Sequence, residues 1–379
     1  MTYDDGSTKQ FGVQIWVRKG SGRDFVVSAR EAQSGANQRG LRLTGDVHLV
    51  ASDGFELATE NATYDQDEGL VRAPGHVSFR KGRLRGSGAG MTYDEKNDVL
   101  SVLDSSQVTL TDEADATTMS FSARTATLDR VQDFVRLDGG AHVTRGEEVL
   151  DSTTATARLS GDEQIVTFIE LRGESRVVGG DGSFESMTAR DIDLDYTDDG
   201  QQLERVALMG GAAVALAPAS GSAGRKLAGE TLDLQLASDG SVTHASGRDN
   251  VRLDLPAVAK APERSIKSKT FDASGQQGAG LTDARFVDDV EYRELAGSES
   301  PQRVARSRGL QVSLTQDDVR HAVFTGGVAF EEASLSAVAG EARYDPGQAT
   351  LQMTGGDGRG GPRVSDEQVT VAGPTIDLA

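Results

Sequence analysis

The run Asp191-Ile192-Asp193-Leu194-Asp195-Tyr196 has carboxylates at alternate positions, as at the start of a calcium loop. A calcium loop needs Gly at its sixth place for the sharp turn, and Tyr196 stands there. Alternation sets the acids on one side of a strand and Ile192, Leu194 and Tyr196 on the other, which reads as a solvated strand face. Gly356-Asp357-Gly358-Arg359-Gly360-Gly361 has the glycine spacing of a dinucleotide loop. Pro362 and a strand-like segment follow it, so no helix N-terminus is offered to a phosphate, and it reads as a turn. The histidines, His48, His76, His142, His244 and His321, lie too far apart for paired metal ligation. The chain has no Cys, which removes disulfides, thiol nucleophiles and thiolate zinc sites. It has no Gly-x-Ser-x-Gly elbow and no HExxH. Trp16, the sole Trp, reads as a packing residue. These residues point to a protein that is not an enzyme and needs no metal or cofactor.

The elements that carry these residues follow from composition and period. The 379 residues hold 39 Lys and Arg against 59 Asp and Glu, a formal charge of −20. That charge argues against nucleic acid and against an anionic bilayer surface as partners. No apolar stretch reaches the length of a membrane-spanning helix. Gly is abundant at 45 residues and Pro scarce at 8, as expected for many tight turns between strands. Helical periodicity is nowhere sustained. Period-2 alternation is, most clearly in Leu41-Arg42-Leu43-Thr44-Gly45-Asp46-Val47-His48-Leu49, where the odd positions are apolar or Gly and the even positions polar.

That segment recurs. Val17, Val47, Val77, Val108, Val143, Val177, Val214, Val251, Val290 and Val328 follow one another at spacings of 30, 30, 31, 35, 34, 37, 37, 39 and 38 residues. A Gly stands two residues before the Val in some copies (Gly45, Gly75, Gly326) and four before in others (Gly139, Gly173, Gly210, Gly247). Before Val108 and Val290 it is missing. Leu137, Gly139, Ala141 and Val143 share one face by parity, as do Leu208, Gly210, Ala212, Val214 and Leu216. A second pattern ends in an aromatic residue or Leu followed by Asp, as in Tyr64-Asp65, Tyr93-Asp94, Leu128-Asp129 and Tyr344-Asp345. It reads as a strand end with the ring inward and the Asp opening a turn. Tyr3-Asp4 looks like the tail of such a unit, as though the chain began inside a repeat. Each unit is expected to be two to three short strands, and such units stack by burying their apolar faces against their neighbours. The stretches 217–222, 255–262 and 298–301 fall after the Val strand of successive units and read as lengthened loops.

The segments 41–49, 53–65 and 74–79 resemble the LptC/LptA (OstA-like) family, the bridge proteins of lipopolysaccharide export. The likeness is best over residues 41–110, and weaker copies continue to the C-terminus. The resemblance implies an all-β fold, an extended antiparallel β-jellyroll with an open seam, here of about ten stacked units of 30–39 residues. It implies an LptC-like jellyroll over 1–180 and further OstA-like repeats over 181–379, or one continuous domain. It implies a periplasmic protein tethered to the inner membrane in its full-length form. The implied partners are lipopolysaccharide, the inner-membrane ABC transporter complex that powers export, and other OstA-like jellyrolls joined by edge-strand pairing. LptC members usually carry an N-terminal membrane helix, and family members are about half this length. This chain therefore reads as a long LptC-like protein or an LptC–LptA-like fusion.

The expected lipid-binding groove consists of the inward residues Leu43, Val47, Leu49, Val77, Phe79, Val108, Leu110, Leu137, Val143, Val177, Val214 and Leu216. Aliphatic walls suit acyl chains, which need a dry surface and no directional partner. Lipid phosphates are anionic, so with an acidic exterior the headgroup is expected to stay in solvent. Two other readings stand beside this one. A structural or adhesive β-array would have a closed core, against which the small inward positions Gly139, Ala141, Gly210 and Ala212 speak. A β-solenoid carbohydrate enzyme would need aromatic platforms, and aromatics are 5% of the chain. The final segments 368–372 and 375–379 alternate like strands to the end and offer an edge for pairing.

Overall fold

The computed structural model describes residues 1–2, 7–17, 24–35, 40–112, 114–160, 165–179, 184–216, 224–257, 262–296, 301–315, 318–356 and 360–378. Tyr3-Asp4, the loop residues 217–222, 258–261 and 298–300, and 357–359 of the glycine-rich turn lie outside the described residues. The chain divides into two compact units, Met1–Gly173 and Glu174–Ala379. The described residues form strands and turns and no helix, so none is long and apolar enough to cross a membrane.

Unit one contains β1 (Thr8–Val17), β2 (Phe25–Ser34), β3 (Gly40–Ala51), β4 (Phe55–Asp65), β5 (Leu70–Lys81), β6 (Leu84–Asp94), β7 (Val99–Thr111), β8 (Thr117–Ala123), β9 (Thr125–Asp129), β10 (Phe134–Arg145) and β11 (Glu148–Leu159), and the division falls within β12 (Val166–Val178). Unit two continues with β13 (Phe184–Tyr196), β14 (Leu203–Leu216), β15 (Lys226–Leu236), β16 (Val242–Leu255), β17 (Arg264–Gln276), β18 (Gly280–Glu294), β19 (Arg303–Thr315), β20 (Asp318–Glu332), β21 (Leu335–Asp345), β22 (Thr350–Thr354), β23 (Arg363–Ser365), β24 (Thr370–Ala372) and β25 (Thr375–Leu378). Within each unit the long strands form an antiparallel meander, β1 to β11 in unit one and β13 to β22 in unit two; at the end of unit two β23 pairs with β21 and β24, and β25 pairs with β22. Strands β8 and β9 are two halves of one strand between β7 and β10. The fold is all-β and antiparallel, as the period-2 pattern implies. A repeat, however, is a hairpin of two long strands, mostly 10–15 residues each, and not two to three short ones. At this length a strand can bend in its middle and still pair at both ends.

The bend is made by a recurring device. One strand of a hairpin carries two consecutive left-handed residues: Gly45–Asp46, Gly139–Gly140, Gly173–Glu174, Gly210–Gly211, Asp249–Asn250, Asp288–Asp289 and Gly326–Gly327. In β18 the pair lies between Val287 and Val290, which face Gly309 and Ser307, so three steps oppose two and one extra residue is inserted. Such bulges bend a strand and raise its twist. Gly is the low-cost residue for positive φ, and Asp and Asn follow it. This explains the Gly missing before Val290: Asp288 and Asp289 take its place at φ 61° and 52°. It also corrects the alignment around Val251, where Asp249–Asn250 and not Gly247 form the bulge. Gly139 and Gly210 are bulge residues (φ 84° and 85°) and not small inward positions, so they say nothing about an open interior.

Strand ends are closed by Asp side chains. The Asp94 carboxylate accepts from the Lys96 and Asn97 backbone N–H groups, and Asp129 accepts from those of Val131 and Gln132. The matching Tyr residues turn inward: Tyr344 is buried and Tyr64 and Tyr93 are half-buried. Within β13 the expected alternation holds, with Ile192, Leu194 and Tyr196 buried. Trp16 does not pack as the sequence implied. It is 63% exposed, as is Phe11, in the part of β1 for which the described residues supply one partner strand, β2.

Candidate functional site

Successive antiparallel strands place their ends on two rims. In unit one the first rim holds Phe25, Ala51, Phe55, Lys81, Leu84 and Thr111, and the second holds Asp65, Leu70, Asp94, Val99 and Asp129. The bulges fold the sheet until these rims face each other. Phe25 of the first rim lies 6.4 Å, centroid to centroid, from Tyr93 of the second. Arg130, in the turn after β9, reaches the Asp53 carboxylate, in the turn before β4, at 3.5 Å.

Between the rims lies a cavity of about 350 Å³. Leu49, Phe55, Leu57, Phe79, Leu84 and Leu110 wall it from the first rim, and Val71, Met91, Tyr93, Leu100 and Leu128 from the second. That volume is roughly a dozen waters. No directional polar group stands in the apolar floor. The floor is a packed cluster in which Val77 is fully buried beside Leu57, Ala73, Met91 and Val102. A smaller cavity of about 100 Å³ adjoins it under Leu41, Leu43, Val47 and Leu49. At that cavity Tyr64 donates to the Glu95 carboxylate at 2.9 Å. Burial, and then that carboxylate, push its phenol up to about 12.

The mouth of the larger cavity is polar. Lys81, Arg83 and Arg130 line it, together with Asp53. Lys81 Nζ lies 3.6 Å from the Asp53 carboxylate and Arg130 3.5 Å from it, while Arg83 is exposed.

Every expected groove residue faces the interior. Leu43, Val47, Val77, Phe79, Leu137, Val143, Val177 and Val214 are buried, and Leu49, Val108, Leu110 and Leu216 are half-buried. The structure does not gather them into one site. Leu49, Phe79 and Leu110 line the large cavity; Leu43 and Val47 line the small one. Leu137 and Val143 sit on β10 and touch neither cavity. Val214 is core of unit two, and Leu216 lines a separate cavity of about 440 Å³ there, between Leu227, Leu255 and Leu281. Phe25, Phe55, Met91, Leu100 and the cationic mouth were not singled out by sequence. Phe25, Phe55 and Met91 belong to β2, β4 and β6, the strands between the Val strands, whose parity switches at the bulge; Leu100 shares the parity of Val108 on β7. Buried Thr59 and Ala62 on β4 show the switch.

Unit two is filled differently. Phe271 and Phe286 pack at 5.0 Å between centroids, and Tyr292 packs on Phe324 at 5.7 Å and on Tyr344 at 6.2 Å. Tyr344 belongs to the second rim and meets the first: its hydroxyl donates to Glu294 at 3.1 Å and accepts from Arg303 at 3.1 Å. Glu294, 3% exposed, also accepts from Arg264 at 3.0 Å and from the Tyr292 hydroxyl at 2.7 Å. This buried polar latch ties the two rims of unit two together.

Residues 4–112 match the family described as LptC, lipopolysaccharide-assembly, LptC-related. The matched segment contains the two apolar cavities described above except for the parts of their walls supplied by Leu128 and Arg130. Among solved structures the chain is similar to LptH of Pseudomonas aeruginosa, described as the LptA homologous periplasmic component of the conserved lipopolysaccharide transport device. The identity is 11% and the TM-score 0.28, over 41% of this chain and 94% of that one. No curated protein matches the chain.

Proposed function

We propose that this chain, whose residues 4–112 are LptC-related, carries lipopolysaccharide by its acyl chains in the periplasm and makes no covalent chemistry. The observation that carries this reading is the cavity of about 350 Å³ between the rims of unit one, apolar on both walls and open to solvent through a polar mouth. Burial of one CH2 is worth about 0.8 kcal/mol, so a 12-carbon chain would gain on the order of 9 kcal/mol before ordering costs. Release against that gain needs work from outside, which fits a chain powered by an inner-membrane ABC transporter. Further jellyrolls would add at the sheet edges. Strand β1 presents Phe11 and Trp16 there, β24 presents Val371, and the turn before it Val369, all more than half exposed. Exposed strand edges pair with other strands unless covered.

The test is photo-crosslinking in cells, with a photoreactive residue at Leu110 or Leu49 and at outward His48 as control. Lipopolysaccharide adducts at Leu110 and Leu49 alone are expected. With the protein folded and its export partners present, adducts nowhere would refute the carrier reading in favour of a β-scaffold.

A further inference from the structure

We propose that Lys81, Arg83 and Arg130 form a headgroup site, which holds the anionic phosphate of an amphiphile whose acyl chain occupies the cavity of unit one. The inference rests on the proposed carrier function and adds to it a polar recognition element.

Three cations converge on one mouth in a chain whose formal charge is −20. The acid lining that mouth is Asp53. Two further acids of this rim pair with other cations: Glu56 with Arg80 at 2.7 Å, and Asp115 with Arg85 at 2.8 Å. Asp53 holds Lys81 and Arg130 at 3.6 and 3.5 Å, longer than a charge-assisted hydrogen bond of about 2.7–2.9 Å. The Lys81 contact is long and partly exposed, hence weak, and an incoming phosphate with three oxygens can replace it or bridge Lys81 and Arg130. The Arg83 guanidinium makes no ion pair among the described residues.

Position makes the cluster specific. Lys81 ends β5 and Arg83 stands in the β5–β6 turn of the first rim, and Arg130 stands in the β9–β10 turn of the second. A phosphate between them is held from both sides of the seam, directly above Phe79, Leu84 and Leu110. The Arg130 side chain is only 9% exposed, so its charge acts where water screens it least. A free anion would use the cations alone and an uncharged amphiphile the cavity alone; a phosphorylated amphiphile uses both. The headgroup of such a lipid is therefore bound at the seam and not left wholly in solvent.

The experiment is isothermal titration of the full chain with monomeric dodecyl phosphate, dodecyl maltoside and inorganic phosphate. Dodecyl phosphate should bind at least tenfold more tightly than dodecyl maltoside, and inorganic phosphate should not bind measurably. The double variant Lys81→Gln/Arg83→Gln should lose at least tenfold for dodecyl phosphate and less than twofold for dodecyl maltoside. Arg80→Gln, which removes an outward cation from the same strand, should change neither. Asp53→Asn should tighten dodecyl phosphate alone. Equal affinity for the two amphiphiles, unmoved by the double variant, would overturn the headgroup site and leave the carrier reading standing. Binding of inorganic phosphate as tightly as dodecyl phosphate would overturn it in favour of a free-anion site. Binding of neither amphiphile would overturn both.

Discussion

Replacing Arg264 by Met strands the Glu294 carboxylate in the interior of unit two, and the cost can be worked from its surroundings. The Arg264–Glu294 pair lies at 3.0 Å with side chains 6% and 3% exposed. Breaking a buried pair by removing one partner costs about 3–5 kcal/mol, because the remaining charge has lost its compensation. Glu294 keeps two phenol donors, Tyr292 at 2.7 Å and Tyr344 at 3.1 Å, and Arg303 at 3.6 Å. The lower end, about 3 kcal/mol, is therefore expected, or a fall in melting temperature of roughly 6–12 °C for a unit of this size. Removing both charges in Arg264→Met/Glu294→Leu should recover about 1 kcal/mol: no unpaired carboxylate is left, while the buried Tyr292 hydroxyl loses its acceptor. The assay is guanidinium denaturation read with hydrogen exchange, which localises the loss. Protection should fall in β17 to β21 and hold in β2 to β7. A single variant costing under about 1 kcal/mol, a double variant no better than the single, or a loss confined to unit one would refute the reasoning.

Alkaline pH should weaken the same latch. Burial, and then the Glu294 charge, push the Tyr344 phenol up to about 12, so the folded state favours the protonated form. Its contribution is whole below the unfolded value of about 10 and is lost as pH rises from there through about 12; Tyr344→Phe should flatten that decline in denaturation measured against pH. Gly210→Ala should destabilise by at least about 1–2 kcal/mol, since φ is +85° and the new Cβ would stand 2.9 Å from Arg190 Cβ. Asp288→Gly, at φ 61°, should be neutral or stabilising in thermal melts. Deleting residues 366–379 should abolish crosslinking to a neighbouring jellyroll while lipid adducts at Leu110 persist; joint loss of both would contradict an edge role for the terminal strands.

Much of this molecule can be read from local pattern. Side chains alternate along a strand, so Leu43, Val47 and Leu49 on β3, and Val206, Leu208, Ala212 and Val214 on β14, declare their inward face by parity. Tyr-Asp declares a strand end, because the Asp carboxylate caps the turn that follows within three residues. The ~30–39-residue repeat is legible for the same reason, since each hairpin meets the same neighbours. The bulges were half legible. Gly marks them where it occurs, but Asp288–Asp289 and Asp249–Asn250 do the same work without it, and the extra residue shifts parity on one strand of the pair. Trp16 was misread because burial depends on a neighbour, and the described residues supply one partner strand, β2, to that part of β1.

The site itself belongs to tertiary structure. Asp53 and Arg130 are 77 residues apart, and Glu294 and Tyr344 are 50 apart. Nothing in either segment encodes its partner. They meet because small bends, one per bulge, add across successive strands until one rim faces the other. Sequence by itself determined which residues turn inward, since that is a property of one strand. Only the folded sheet decided which inward residues leave a cavity, which fill a core, and which charges stand at its mouth, since those depend on where distant strand ends arrive.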